Sequence, residues 1–132
     1  DIGATEKYQL SRSRVGQGQY RKNLEQFEAG CRITGIIDGR FLTASHIKPW
    51  AKSNDFEKLD GNNGLLLSPH IDRLFDRGYI SFEGNGVLIL HPSLPPEVVA
   101  AWGLAAGIQT KPLGPEQAVY MDFLRKEIFD KR

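Results

Sequence analysis

An α+β domain is what this sequence predicts, and three observations carry the expectation. Two β-rich runs, "CRITGII" and "RFLTASHI", flank Asp38-Gly39, a dipeptide suited to a two-residue hairpin turn. Apolar residues recur at helical spacing in "SPHIDRLFDRG" and again towards both ends of the chain. A second β-rich pair, "YISF" and "VLIL", is joined through Gly84-Asn85-Gly86. Hairpins mixed with helices around one core make an α+β architecture.

Residues 1–16, with "SRSRVG", show no period and read as a linker or arm; the first residue is aspartate, so the expectation is a module of a larger protein. The domain proper is then 17–132, with a core at 31–90 and a helical extension at 95–132. In "GQYRKNLEQFEAG", Tyr20, Leu24 and Phe27 form a helical stripe, and Gly30 suits the end of that helix. Strands follow at roughly 31–37 and 40–47. Alternation places Cys31, Ile33, Ile37, Leu42, Ala44 and His46 on one face, with Cys31 opposite His46. That apolar face needs a cover. The next helix supplies it, with Ser68 as N-cap, Pro69 first and Gly78 just past the end. Ile71, Leu74, Phe75 and Gly78 form its buried stripe; Asp72 and Asp76 share the adjacent face, and His70, Arg73 and Arg77 lie on the other side. After the second hairpin, Pro92, Pro95 and Pro96 precede a short helix at "EVVAAW". A last helix, "PEQAVYMDFLRKEIFDKR", puts Val119, Phe123, Leu124 and Ile128 on an apolar face.

Composition limits the function. A chain of 132 residues that is 40% hydrophobic suits one globular domain with a real core. No run approaches the ~20 apolar residues of a membrane span, and no signal peptide is evident, so a cytoplasmic location is expected. The single cysteine, Cys31, excludes an internal disulfide and a Cys-x-x-Cys zinc site, and reads as a small buried residue. The net charge of +1 hides an asymmetry: Lys7 to Lys52 holds nine basic residues against three acidic, while the chain from Ser53 onward holds eight against eleven. Such a split suits a basic face for nucleic acid beside an acidic centre for a cation, with a solvated surface as the plain alternative.

Within this frame the stretch "TASHIKPW…DGNNGLLLSPHIDRLFDRG" carries the chemistry. His46, at a strand end, is expected to point at the covering helix, whose edge bears carboxylates. That suits phosphodiester hydrolysis, since a neutral imidazole takes a proton from water near neutral pH while a cation on oxygen ligands offsets phosphate charge. The parts "GQGQYRKNLEQFEAGCRITG", "ASHIKPW" and "NGLLLSPHIDRLFDRGYISF", with their spacing over Gln17 to Leu90, resemble the His-Asn-His (HNH) endonuclease family, and most closely its zinc-free, restriction-type branch.

The resemblance implies a ββα-metal nuclease core, here with flanking helices and an extra hairpin. It implies His46 as general base, Asn63 as the central asparagine that fixes the loop and helps orient the base, Mg²⁺ or Mn²⁺ as the metal with no structural zinc, and DNA as substrate, cut to 5′-phosphate and 3′-hydroxyl ends. Asp72 aligns with the family's last histidine and His70 stands two residues earlier, so either is a candidate helix ligand, with Asp76 one turn on completing an oxygen-rich site. Ser45 occupies a position where the family often carries a metal-binding acid or histidine; a hydroxyl is a poor ligand, and alternation points it away from His46. Arg21, Lys48, Arg73 and Arg77 are candidate phosphate contacts. Trp50 is a candidate for stacking or for the core. The expected setting is the nuclease module of a restriction or defence enzyme, fused to an N-terminal recognition domain and compatible with a homodimer. Two competing readings are a DNA-binding module that keeps the fold without cleavage, motivated by Ser45 and Asp72, and a small structural or interaction domain.

Overall fold

The computed structural model describes the backbone of residues 4–131 and the side-chain surroundings of residues 14–131. In chain order the elements are α1 (Ala4–Leu24), β1 (Thr43–His46), α2 (Asp55–Leu59), β2 (Gly64–Leu67), α3 (Pro69–Asp76), β3 (Ile80–Phe82), β4 (Leu88–Leu90), α4 (Pro96–Ala101) and α5 (Pro115–Leu124). Single turns of 3₁₀ helix sit at Gly39–Phe41 and Trp50–Lys52, and a π-helical turn, Arg125–Phe129, continues α5.

Two antiparallel ribbons organise the domain. β1 pairs with β2 in the register Thr43↔Leu67 to His46↔Gly64, and β3 pairs with β4 in the register Ile80↔Leu90 to Phe82↔Leu88. β2 is buried at every residue, because "GLLL" is covered on one face by α1 and on the other by the core beneath α3 and α5. Ile71, Leu74 and Phe75 of α3 join Leu65, Leu67, Ile80, Phe82 and Leu88 in one continuous cluster. α3 runs over the span its sequence predicts: Pro69 opens it, and Gly78 follows its end with φ +77°, a left-handed conformation that glycine adopts without steric cost; Ser68 holds the N-cap position, but its hydroxyl pairs with Thr34 Oγ1 at 2.7 Å and makes no capping bond. The second hairpin and α4 also lie where the sequence placed them. Met121 and Leu124 anchor α5, and Gln117 donates from inside the core to the Gly64 carbonyl at 2.9 Å. Cys31 is buried and free.

Five expectations need correction. Residues 4–16, expected as an irregular arm, are helical and form the first part of α1. That helix ends at Leu24, not at Gly30; Gly30 serves a close approach instead, since a Cβ there would lie 2.4 Å from the Ile36 carbonyl oxygen. Phe27 does not join the stripe of Tyr20 and Leu24, because the chain has already left the helix and its ring is exposed. The hairpin across Asp38-Gly39 does not form. The Asp38 carboxylate instead accepts from the Arg40 backbone and guanidinium, capping the 3₁₀ turn, while Cys31 and Ile36 close a small loop through Gly35 at φ +76°. Residues 31–37 are therefore not a strand, Ile37 is 75% exposed, and β1 takes its partner from β2. Finally, α5 buries Gln117, Met121 and Leu124; of the predicted apolar face, Leu124 lies in the core and Ile128 packs against it, whereas Val119 is 70% exposed and faces away.

Among the described residues, no helix is long and apolar enough to cross a membrane. A buried ion pair ties the first loop down: Arg32 meets Glu28 at 2.9 Å, with both side chains about 5% exposed or less, and also donates to Gln117 Oε1 and the Lys111 carbonyl.

Candidate active site

β1 delivers neighbouring residues to opposite sides of the ribbon, and this alternation builds the site. Ser45 faces α3, where its hydroxyl donates to Asp72 Oδ1. His46 faces the other way. Its ring stacks on Tyr20 of α1 with centroids 3.6 Å apart and 16° between planes, and Trp50 meets its edge at 5.5 Å. The expectation that His46 points at α3 is thus corrected: it was built on a strand pairing that does not exist, and Ser45 is the residue that reaches the helix. Both still line one cleft of about 350 Å³, together with Trp50, Asp72, Asp76 and Leu124.

His46 Nε2 lies 2.9 Å from the Lys58 carbonyl oxygen. A carbonyl only accepts, so Nε2 carries the proton and Nδ1 is left as the basic nitrogen. Burial between two aromatic rings lowers the imidazole pKa from its ordinary value, with the Lys58 contact opposing. The ring is therefore neutral, and its tautomer fixed, at physiological pH.

Asn63 is fully buried and sets the stage for that contact. Its Oδ1 accepts from the Lys48 N–H at 2.8 Å and its Nδ2 donates to the Glu57 carbonyl at 3.0 Å, clamping the loop that carries Trp50 to α2. The Lys58 carbonyl is the next one along. The backbone oxygen of Asn63 also accepts from Tyr20 Oη at 2.7 Å, and the same hydroxyl lies 3.2 Å from the Ser45 carbonyl. Tyr20 hence bridges the ends of β1 and β2 beneath the imidazole. Gly64 is obligatory there, since a Cβ would fall 1.8 Å from the Tyr20 hydroxyl.

The carboxylates occupy the opposite wall. Desolvation raises the Asp72 pKa, the Ser45 hydroxyl opposes, and the like charge of Asp76 raises it further. Asp76 forms no ion pair with Arg73 or Arg77 among the described residues. Two carboxylates one turn apart with no cationic partner make a spot short of positive charge. No group of three His, Cys, Asp or Glu side chains that could hold a metal ion occurs among the described residues. The pair nevertheless fits a magnesium-type ion, which is commonly bound through one or two carboxylates while waters and substrate phosphates complete the shell.

The remaining candidates are distributed elsewhere. His70 is on the far side of α3, edge-on to Trp102 at 5.4 Å. Arg21 donates to the Gly39 and Leu42 carbonyls at 2.7 and 2.9 Å, so it holds the 3₁₀ turn in place. Lys48 pairs with Glu57 at 2.9 Å, its ammonium 5.0 Å from the Phe123 ring centroid. Arg73 and Arg77 are exposed, beside a second groove. Sequence reasoning passed over Tyr20 as a stripe residue; its hydroxyl in an apolar stripe, opposite an Asn-Gly pair, was the available signal. It also set Ser45 aside.

A histidine and two carboxylates thus line one cleft at the junction of β1 and α3. Residues 31–83 match the family model described as HNH endonuclease, and His46, Asn63, Asp72 and Asp76 all lie inside the matched segment. The chain matches none of the curated proteins with which it was compared.

Proposed function

We propose that this chain is a metal-dependent DNA endonuclease domain in which His46 is the general base. The observation that carries the proposal is the Nε2 contact to the Lys58 carbonyl, which leaves Nδ1 unprotonated on a ring held rigidly at the cleft. A base acts best when it is fixed and neutral at the working pH. Nδ1 takes the proton of the attacking water, and Tyr20, Trp50 and the Asn63 clamp keep the ring from rotating away. Asp72 and Asp76 hold the divalent ion, Mg²⁺ or Mn²⁺, with the Ser45 hydroxyl orienting the Asp72 carboxylate. When bound, such an ion supplies charge neutralisation at the phosphate and the leaving oxygen. Arg73 and Arg77 contribute phosphate affinity; Arg21 and Lys48 act on the protein's own backbone and loop. A role as the nuclease module of a restriction or defence enzyme, with recognition in a fused N-terminal domain, belongs to the same proposal and rests on the family resemblance.

One observation favours the second reading, a DNA-binding module without cleavage: Asp72 is already engaged by Ser45, and two carboxylates are the whole acidic complement of the cleft. Plasmid nicking with Mg²⁺ or Mn²⁺ separates the two. Nicking by the native chain that His46→Ala removes supports the nuclease; the same residual nicking in both supports the binding module.

A further inference from the structure

α3 is a partition. Asp72 and Asp76 face the cleft on one side, and Arg73 and Arg77, each one residue further round the helix, line a separate groove of about 280 Å³ on the other. That groove is walled by Tyr79, Leu94, Pro95 and Trp102, and no acidic residue lines it. Trp102, the C-cap of α4, is 39% exposed, and the His70 and Trp102 rings meet edge to face at 5.4 Å. Arg73 and Arg77 are exposed and make no ion pair among the described residues, unlike Arg21, Arg32 and Arg40, which are all committed to partners within the fold.

From this juxtaposition we infer that the groove is a binding subsite for an unstacked nucleobase of the DNA substrate, with Trp102 as its stacking surface and Arg73 and Arg77 on the adjoining phosphates. The inference rests on the nuclease reading for the identity of the substrate. An aromatic face beside apolar walls suits the flat, weakly polar surface of a base, and two guanidinium groups one helical turn apart suit successive phosphates. An apolar protein segment would leave both guanidinium groups without counter-charge. A strand lying in the cleft and crossing over α3 reaches the groove directly, so the captured base belongs to a nucleotide close to the cut bond. His70 gains a role by the same reasoning: it positions Trp102 and lies apart from the carboxylates.

Equilibrium binding in a chelator, where no cleavage occurs, tests the inference with three labelled oligonucleotides: a single strand, a fully paired duplex, and the same duplex with one unpaired base. Trp102→Ala is expected to weaken binding of the single strand and of the duplex with the unpaired base by about tenfold, as loss of one base–aromatic stack implies, and to leave the paired duplex within about twofold. Trp102→Phe, which keeps a ring, is expected to retain most of the affinity and serves as the folded control. The double substitution Arg73→Gln, Arg77→Gln is expected to weaken all three and to reduce the slope of log affinity against log salt by about two. Equal losses on all three probes with Trp102→Ala, or no loss on any, would overturn the subsite. Because the assay measures affinity without turnover, a chain whose cleavage proved independent of His46 could still show the subsite, and a true nuclease could lack it.

Discussion

Gly64→Ala probes the coupling between fold and base, and its cost follows from three distances. A methyl group at Gly64 lies 1.8 Å from Tyr20 Oη, 3.0 Å from Tyr20 Cζ and 3.0 Å from the Ser45 carbonyl oxygen. Non-bonded atoms rest at about 3.5 Å, so the phenol must retreat by roughly 1.5 Å. Retreat breaks its hydrogen bonds to Asn63 and Ser45, worth about 1 kcal/mol, and overpacks a filled core at a further ~1–3 kcal/mol. The total, about 2–4 kcal/mol, is a large share of the ~5–15 kcal/mol typical of a domain. Tyr20→Phe alone removes the offending oxygen together with its hydrogen bonds and costs about 1 kcal/mol. In that background the nearest ring atom is Cζ, and a few tenths of an ångström relieve the contact, so Gly64→Ala is expected to cost about 1 kcal/mol. Urea unfolding of the four proteins, compared at constant m, should therefore show a favourable coupling of about 1–3 kcal/mol between the substitutions. Because Tyr20 carries the His46 ring, cleavage should fall in the single Gly64→Ala variant and recover in part in the double. Additive unfolding energies would refute the claim that Tyr20 is wedged under the imidazole by the absence of a side chain at Gly64.

Four further outcomes follow. Glu28→Ala strands the Arg32 guanidinium in a site about 5% exposed; thermal or urea unfolding should show a loss of about 3–5 kcal/mol, and a loss below about 1 kcal/mol would mean the pair is solvated. The acid limb of kcat/KM is expected below the ordinary imidazole value of 6.5, because burial lowers the native pKa of His46. By linkage, the native state resists a proton that the unfolded chain accepts at 6.5, so His46 makes stability fall as pH drops through that value, and His46→Phe should flatten this part of the stability profile. Asp72→Ala should lose activity that raised Mg²⁺ or Mn²⁺ partly restores, whereas His70→Ala should keep the native metal dependence; the reverse pattern would move the helix ligand to His70.

How far the sequence disclosed this depends on the kind of signal. α3 was legible in its span and its buried stripe, because its N-terminal Pro69, its apolar spacing and its terminal Gly78 agree with one another; the partner of the Ser68 hydroxyl was not, because Thr34 is distant in sequence. The second hairpin was legible for the same reason. The Asp38-Gly39 pair misled because the same dipeptide suits a hairpin and a capped 3₁₀ turn, and the choice belongs to partners far away: Arg21 binds the Gly39 and Leu42 carbonyls, and "GLLL" offers β1 a fully buried partner strand. Pairing then decides facing, since a strand alternates sides and its neighbours decide which side meets which element. His46 and Asn63 could be named as candidates, His46 from its place at a strand end and Asn63 from the resemblance to the family's motif. That His46 leans on Tyr20 while Ser45 reaches Asp72 could not be foreseen, because both contacts join segments more than 25 residues apart.

The central claim is that a fixed, neutral His46 takes the proton from the attacking water. Single-turnover cleavage of a labelled duplex in Mg²⁺, measured for the native chain and for His46→Ala alongside DNA affinity in a chelator, tests it most directly. The account predicts a loss in the cleavage rate of about 10²–10⁴-fold, the usual contribution of a positioned base, with affinity unchanged within a few-fold because the contribution is to the transition state. An unchanged rate, or a loss of affinity as large as the loss of rate, would contradict it.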